Sequence, residues 1–192
     1  MRVIAGRLGG RRLRAPTGRT TRPTSDRVRE AAFAMLGDVS RTRVLDLFAG
    51  TGALGIEALS RGAETAVFVE RDANAARVLI ANLTALGLSR ESAQVRRRDA
   101  LAALGDARAR EEKYDLVFID PPYGRAQPAS PALGSTSAER WGTQLSEMLP
   151  SLLSPGARVV VESDRRAPLE LELELQRCKR YGDTTITIHR SQ

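Results

Sequence analysis

The sequence predicts an α/β fold built on a mostly parallel sheet, closed by an antiparallel strand pair at the C-terminus and preceded by a short basic extension. Three observations predict it. From Arg43 onward, short apolar runs of strand length alternate with helical stretches, the pattern of right-handed crossovers in a sheet covered on both faces. The first of these runs passes directly into Gly50-Thr51-Gly52 and a helix, the strand–turn–helix junction of open α/β sheets. Near the C-terminus the period changes to two, with Leu169, Leu171, Leu173 and Leu175 alternating with Glu170, Glu172, Glu174 and Gln176.

Taken in order, residues 1–15 read as a hairpin in which Val3-Ile4-Ala5 and Arg11-Arg12-Leu13 flank a Gly9-Gly10 turn. Residues 16–23 read as an extended connector. A helix is expected to start at Ser25 or Asp26, either of which can cap it. Val28, Ala31, Ala32, Met35 and Leu36 form its one apolar face, and Gly37 stops it. Arg27 and Arg29 fall off that face, where they could meet a nucleic acid. Next come a strand at 43–48, a helix at 53–61, a strand at 65–70, a long helix at 73–86, a short strand at 94–98 and a very apolar strand at 115–120. Residues 127–137, rich in Pro, Ser and Gly, read as a loop. Helix is expected at 138–153, strand at 157–162 and 169–176, and a Gly182-Asp183 turn into a last strand at 184–189.

Composition bounds the possibilities. The chain of 192 residues is 42% hydrophobic and 28% charged, values typical of one globular domain. No apolar run approaches the roughly 18–20 residues of a membrane span, and the basic N-terminus lacks the apolar stretch of a signal peptide. One cysteine, Cys178, and one histidine, His189, cannot build a disulfide or a zinc site, so no metal and a reducing, cytoplasmic setting are expected. Cys178 is expected to be buried or incidental and His189 structural. The net charge of +7 resides entirely in residues 1–30, which hold nine arginines against two acids; the other 162 residues balance at 21 against 21. Arginine forks match phosphate, so a polyanion is the expected partner. Arg2, Arg7, Arg11, Arg12, Arg14, Arg19, Arg22 and Arg27 are the candidate contacts.

The glycine turn lies in Asp46-Leu47-Phe48-Ala49-Gly50-Thr51-Gly52. Gly50 and Gly52 let the backbone approach a ligand without Cβ clashes, and their amides favour an electron-rich group at the helix N-terminus. Glu70, closing the second strand, can grip two ribose hydroxyls, and Asp99, after the third, can reach an adenine amino group. Gly50, Gly52 and Gly55 also spell the dinucleotide fingerprint, a weak match by itself. Asp46 favours a cationic sulfonium over a pyrophosphate, so the expected cofactor is S-adenosylmethionine.

The apolar strand ends in Asp120-Pro121-Pro122-Tyr123. Two prolines stiffen the backbone and leave carbonyls outside the ladder. An exocyclic amine of a purine is a poor nucleophile because its lone pair is delocalised into the ring. The Asp120 carboxylate and the Pro121 carbonyl can each accept one of its N–H bonds, aiming the lone pair at the donor methyl. Tyr123 offers a plane on which a flipped base can stack.

These motifs, with Met1-Arg2-Val3-Ile4-Ala5-Gly6, Thr21-Arg22-Pro23-Thr24-Ser25-Asp26-Arg27-Val28-Arg29-Glu30 and Glu57-Ala58-Leu59-Ser60-Arg61-Gly62-Ala63, resemble the RsmD-type small-subunit ribosomal RNA guanine-N2 methyltransferases along nearly the whole chain. The Thr-Arg-Pro-Thr segment is the most specific part; Thr51, serine in some relatives, is a mild departure. The resemblance implies a class I, Rossmann-like methyltransferase sheet of seven strands over residues 25–192, and an RNA-binding extension over 1–24. It implies a cofactor site of Asp46, Phe48, Ala49, Gly50, Thr51, Gly52, Glu70, Arg71, Asp99 and Ala100, and a catalytic set of Asp120, Pro121 and Tyr123. The implied substrate is 16S ribosomal RNA in the 30S subunit, at the guanine of nucleotide position 966, with the enzyme acting as a monomer.

Three rivals stand beside it. A DNA adenine-N6 methyltransferase shares the tetrapeptide but needs a target-recognition region, and the 67 residues between Gly52 and Asp120 are taken up by sheet and helices. Glutamine methyltransferases resemble this pattern with Asn at position 120. A non-catalytic RNA-binding assembly factor would not need the cofactor and catalytic positions together.

Overall fold

The computed structural model describes residues 1–15, 25–121 and 137–192. Seven strands form one sheet in the order β3-β2-β1-β4-β5-β7-β6. They are β1 (Arg43–Asp46), β2 (Thr65–Val69), β3 (Ala93–Arg96), β4 (Tyr114–Ile119), β5 (Leu153–Asp164), β6 (Glu174–Tyr181) and β7 (Thr184–Arg190). The first five run parallel, and β7 pairs antiparallel with both β5 and β6. The expected fold class is the observed one.

Strict alternation of side chains sends each central strand's residues to two cores. Val44, Phe68, Leu116, Phe118 and Val160 face α1 (Asp26–Leu36), α2 (Ala53–Ser60) and α3 (Ala73–Ala85). Leu45, Val67, Val69, Val117 and Val159 face the layer of α4 (Ala100–Ala109), α5 (Ser137–Met148) and a 3₁₀ turn at Leu149–Leu152. Residues 1–15 complete the first core with Val3, Leu8 and Leu13. Their backbone pairs as a hairpin, with Arg2 bridged to Arg12 and the Val3 N–H donating to the Arg11 carbonyl at 2.9 Å.

Local chemistry sets the helix ends. The Ser25 hydroxyl accepts from the Val28 N–H, and Gly37, at φ +73°, ends α1 with its N–H on the Phe33 carbonyl. The Arg158 guanidinium donates to Leu36 O and Asp38 O, and Arg177 to Met35 O, placing positive charge at the negative pole of α1.

The structure departs from these expectations at three places, Arg29, α4 and the Leu/Glu stretch, and at Cys178 it leaves the incidental alternative. Arg29 does not face outward: it is fully buried, because its guanidinium bridges Asp26, Glu57 and the Arg2 carbonyl under the N-terminal segment. Helix α4 was not anticipated, although Ala100, Ala103, Leu104 and Ala107 bury at helical spacing. The Leu/Glu alternation does not form a strand at 169–176. Leu169 and Leu171 pack into the second core beside α5, where the Glu172 N–H donates to the Ser146 hydroxyl, and pairing starts only at Glu174. Cys178, on the outermost strand, is exposed. His189 is buried on β7 with its ring nitrogens near Leu173 O and Thr187 Oγ1, and burial lowers its pKa.

Candidate active site

Chain direction reverses its lateral course at β1: β2 and β3 lie on one side, β4 and β5 on the other. Open parallel sheets hold ligands in the crevice beyond the carboxyl ends of such strands. The loop leaving β1 is pinned to both neighbours, since Leu47 N donates to Phe118 O (3.0 Å) and Ala49 N to Val69 O (2.9 Å). The glycine turn that follows needs its residues: Gly50 has φ +53° and Gly52 φ +84°. A Cβ on Gly52 would stand 2.3 Å from the Leu79 Cδ1, and one on Gly55 2.4 Å from the Phe68 ring.

Gly52 caps α2 without a side chain to satisfy the first-turn amides. Asp46 does that from below, its Oδ2 accepting the Gly55 N–H at 3.0 Å. At 2% exposure, burial pushes the Asp46 carboxyl up to about 7; the Gly55 amide opposes this and nearby Glu70 adds to it. Its described bond points into the protein, and near neutrality its protonated and charged forms are both populated.

Glu70 follows β2 and is half-buried. One oxygen accepts the Gly50 N–H at 2.9 Å and the other the Asp72 N–H at 2.7 Å. A carboxylate has about four acceptor lone pairs, so two remain for a diol such as ribose. The glycine cradle and this half-used carboxylate suit a nucleoside cofactor. Asp99, exposed after β3, caps α4 through Leu101 N (3.0 Å), and Ala100 is the buried first residue of that helix. Arg71 is exposed and Thr51 half-buried. Phe48 meets Trp141 of α5 edge-on at 5.0 Å, closing the α5 side of the loop.

Asp120 directly follows β4, half-buried, and Pro121 is buried. With Asp46 in register with Phe118, Asp120 stands at the end of the strand next to the glycine loop. Pro122, Tyr123 and the 125–137 loop lie outside the described residues or, at position 137, at their edge. Of the candidate RNA contacts, Arg2, Arg7, Arg11, Arg12, Arg14 and Arg27 are all exposed; Arg19 and Arg22 lie outside the described residues.

The structure adds a residue that sequence reasoning missed. Asn82 is 2% exposed within the apolar stripe of α3. Its amide pairs with both backbone groups of Arg14, accepting N–H at 2.8 Å and donating to C=O at 3.1 Å, and donates to the Thr51 carbonyl at 3.0 Å. A lone amide among Ala75, Ala76, Leu79 and Leu83 was its signal. No group of three or more potential metal ligands occurs among the described residues, and no helix among them is long and apolar enough to cross a membrane.

Comparison with known proteins agrees with this architecture. Residues 1–190 match the family model described as Conserved hypothetical protein 95. The chain is 40% identical to YlbH of Bacillus subtilis (strain 168), provisionally named an rRNA methyltransferase, over 196 residues and all of both chains. It is 35% identical to the Ribosomal RNA small subunit methyltransferase D of Haemophilus influenzae, covering 88% of this chain and 81% of that protein. Among solved structures, yhhF of Escherichia coli, provisionally named a methyltransferase, superposes with a TM-score of 0.78 at 32% identity, covering 100% of this chain and 98% of that one. The fold is that of class I S-adenosylmethionine-dependent methyltransferases, and the chain belongs to the Conserved hypothetical protein 95 family, the RsmD-type methyltransferases.

Proposed function

We propose that the chain transfers a methyl group from S-adenosylmethionine to the exocyclic N2 amine of a guanine in 16S ribosomal RNA, by family resemblance that at nucleotide position 966, within an assembled or assembling 30S particle. The observation that carries the reading is the convergence of the glycine turn, the Glu70 carboxylate and Asp120 at the carboxyl ends of three adjacent parallel strands. The relatives named for rRNA methylation support the choice of nucleic acid over protein as substrate.

The cofactor supplies an electrophilic methyl on sulfur. The chain's residues hold and aim. Gly50 and Gly52 admit the cofactor's methionine part, Asp46 braces that turn from beneath, Glu70 takes the ribose and Asp99 the adenine. Asp120 and the Pro121 carbonyl would accept the two N–H bonds of the amine, so that its lone pair points at the methyl carbon. As the N–C bond formed, the S–C bond would break with its electron pair left on sulfur, and the surplus proton would pass along its hydrogen bond to the Asp120 carboxylate and on to solvent. Tyr123 is assigned the stacking role on sequence grounds. The exposed arginines of residues 1–14 supply the phosphate contacts.

Asp120→Ala is expected to lower kcat at least about a hundred-fold while S-adenosylhomocysteine still binds in calorimetry. Turnover at the wild-type rate would remove Asp120 from the amine-acceptor role. Methyl transfer to small ribosomal subunits, but not to duplex DNA or release-factor protein, separates this reading from its rivals. Mass spectrometry of rRNA from a strain lacking the gene is expected to show the loss of one methylguanosine.

A further inference from the structure

We propose that Asn82 is a positioning residue that couples the arginine-bearing N-terminal segment to the cofactor loop, so that ribosomal RNA and cofactor each tighten the binding of the other; the inference rests on the function proposed above. Asn82 joins three stretches distant in sequence through one buried amide. Both of its N–H donors are used, one on Arg14 O and one on Thr51 O, and its oxygen holds Arg14 N–H. Thr51 lies between the two left-handed glycines, and Arg14 ends the described basic segment. The same helix supports both partners: Leu79 lies against Gly52, and the Arg11 guanidinium donates to the Ala85 carbonyl at 2.9 Å. At the other end of the segment, the Met1 sulfur stands 3.8 Å from the Thr51 hydroxyl.

Two states follow from this wiring. With residues 11–14 docked on α3, the Asn82 amide is oriented by the Arg14 peptide and its second N–H falls on the Thr51 carbonyl, holding the turn in the geometry in which the Gly50 N–H sits on Glu70 and the Gly52 N–H on the Ala49 carbonyl. With the segment released, that amide loses two of its three partners, and a buried amide without partners is costly, so the hold on Thr51 loosens. RNA gripping the exposed side chains of Arg11, Arg12 and Arg14 favours the docked state, and so does a ligand filling the turn. Coupling between two binding equilibria is reciprocal.

The test measures S-adenosylhomocysteine affinity by equilibrium dialysis, with and without saturating small ribosomal subunits that lack the methyl mark. The wild-type protein is expected to bind about five-fold or more tightly when subunits are present. Asn82→Ala and Arg14→Pro, which removes the N–H on Asn82, are expected to bring that factor to within about two-fold of one. Arg14→Ala, which keeps the backbone pair and loses only the guanidinium, is expected to weaken subunit binding yet retain the factor. A wild-type factor of one, or an undiminished factor in both Asn82→Ala and Arg14→Pro, overturns the coupling. If Asn82→Ala melts below the assay temperature, the Arg14→Pro and Arg14→Ala pair decides. Absence of any S-adenosylhomocysteine binding, or of co-sedimentation with subunits, would instead sink the proposed function itself, and this inference with it.

Discussion

At the scale of single residues, buried charge occurs both at the junction with residues 1–15 and beneath the glycine turn. Glu57, fully buried on α2, accepts the amides of Ile4 (2.7 Å) and Ala5 (3.0 Å), pairs with Arg61 at 2.7 Å and faces Arg29, whose Nε stands 3.9 Å away. Such groups are tolerable in a core only because each is shared among several partners. Asp46 is different, because it has one described hydrogen bond and a raised pKa. The folded chain holds its proton up to about pH 7, while the unfolded chain releases it near 3.8. Its contribution to stability is therefore fully present below about 3.8 and is lost as pH rises through about 7. Asp46→Asn keeps an acceptor for Gly55 N–H without the titration. The melting temperature of the wild type relative to this variant is expected to fall from pH 4 to about pH 7 and to level off above it. A difference that stays flat with pH would contradict the raised pKa.

At the scale of elements, residues 1–15 behave as a strap held by α2. Arg7 N donates to Ser60 O (2.8 Å), Leu8 N to Ser60 Oγ (3.0 Å), and Ser60 Oγ donates to Ala5 O. Gly6 permits this approach: it has φ +80°, and a Cβ there would fall 1.9 Å from the Ser60 carbonyl oxygen. Gly10 has nearly the same backbone at φ +81° with nothing within 4 Å. Gly10→Ala is thus expected to cost only left-handed strain, about 1 kcal/mol. Gly6→Ala is expected to cost on the order of 3 kcal/mol in urea denaturation, since strain and backbone collision combine. Equal costs for the two would mean that the strap does not sit on Ser60. The Glu-Ala-Leu-Ser-Arg motif that carried part of the family resemblance has its physical reason here, because Glu57, Ser60 and Arg61 all serve this junction.

At the scale of the whole molecule, charge and core are arranged on different terms. Residues 1–15 send Val3, Leu8 and Leu13 inward to the core shared with α1 and α2, and leave Arg2, Arg7, Arg11, Arg12 and Arg14 exposed. These five arginines of the basic excess are therefore displayed by a folded surface. Preorganised cations lose little freedom on meeting phosphate, and each contact releases counterions. Replacing Arg11, Arg12 and Arg14 together with alanine is expected to lower the slope of log affinity for ribosomal RNA against log salt by about two to three, with cofactor affinity in the absence of RNA nearly unchanged. An unaltered slope would leave these arginines without a role in phosphate contact.

Periodicity and local chemistry were enough to read the parallel strands of the sheet, the two-faced burial of its central strands, the caps at Ser25 and Gly37 and the glycine turn, because each depends on residues close together in the chain. The candidate carboxylates Glu70 and Asp120 were legible for the same reason, as the ends of apolar strands. What only the tertiary structure decided involves partners far apart in sequence. Arg29 looked like a surface cation until Glu57 and the Arg2 carbonyl enclosed it, and Leu169 and Leu171 left the strand pattern once α5 offered a surface to bury them. Burial raised the Asp46 pKa and set its carboxyl beneath the glycine turn, and Asn82 acquired its role from Arg14 and Thr51, which lie 68 and 31 residues away. The energy of a polar group depends on what surrounds it, and in this fold those surroundings are assembled from distant segments of the chain.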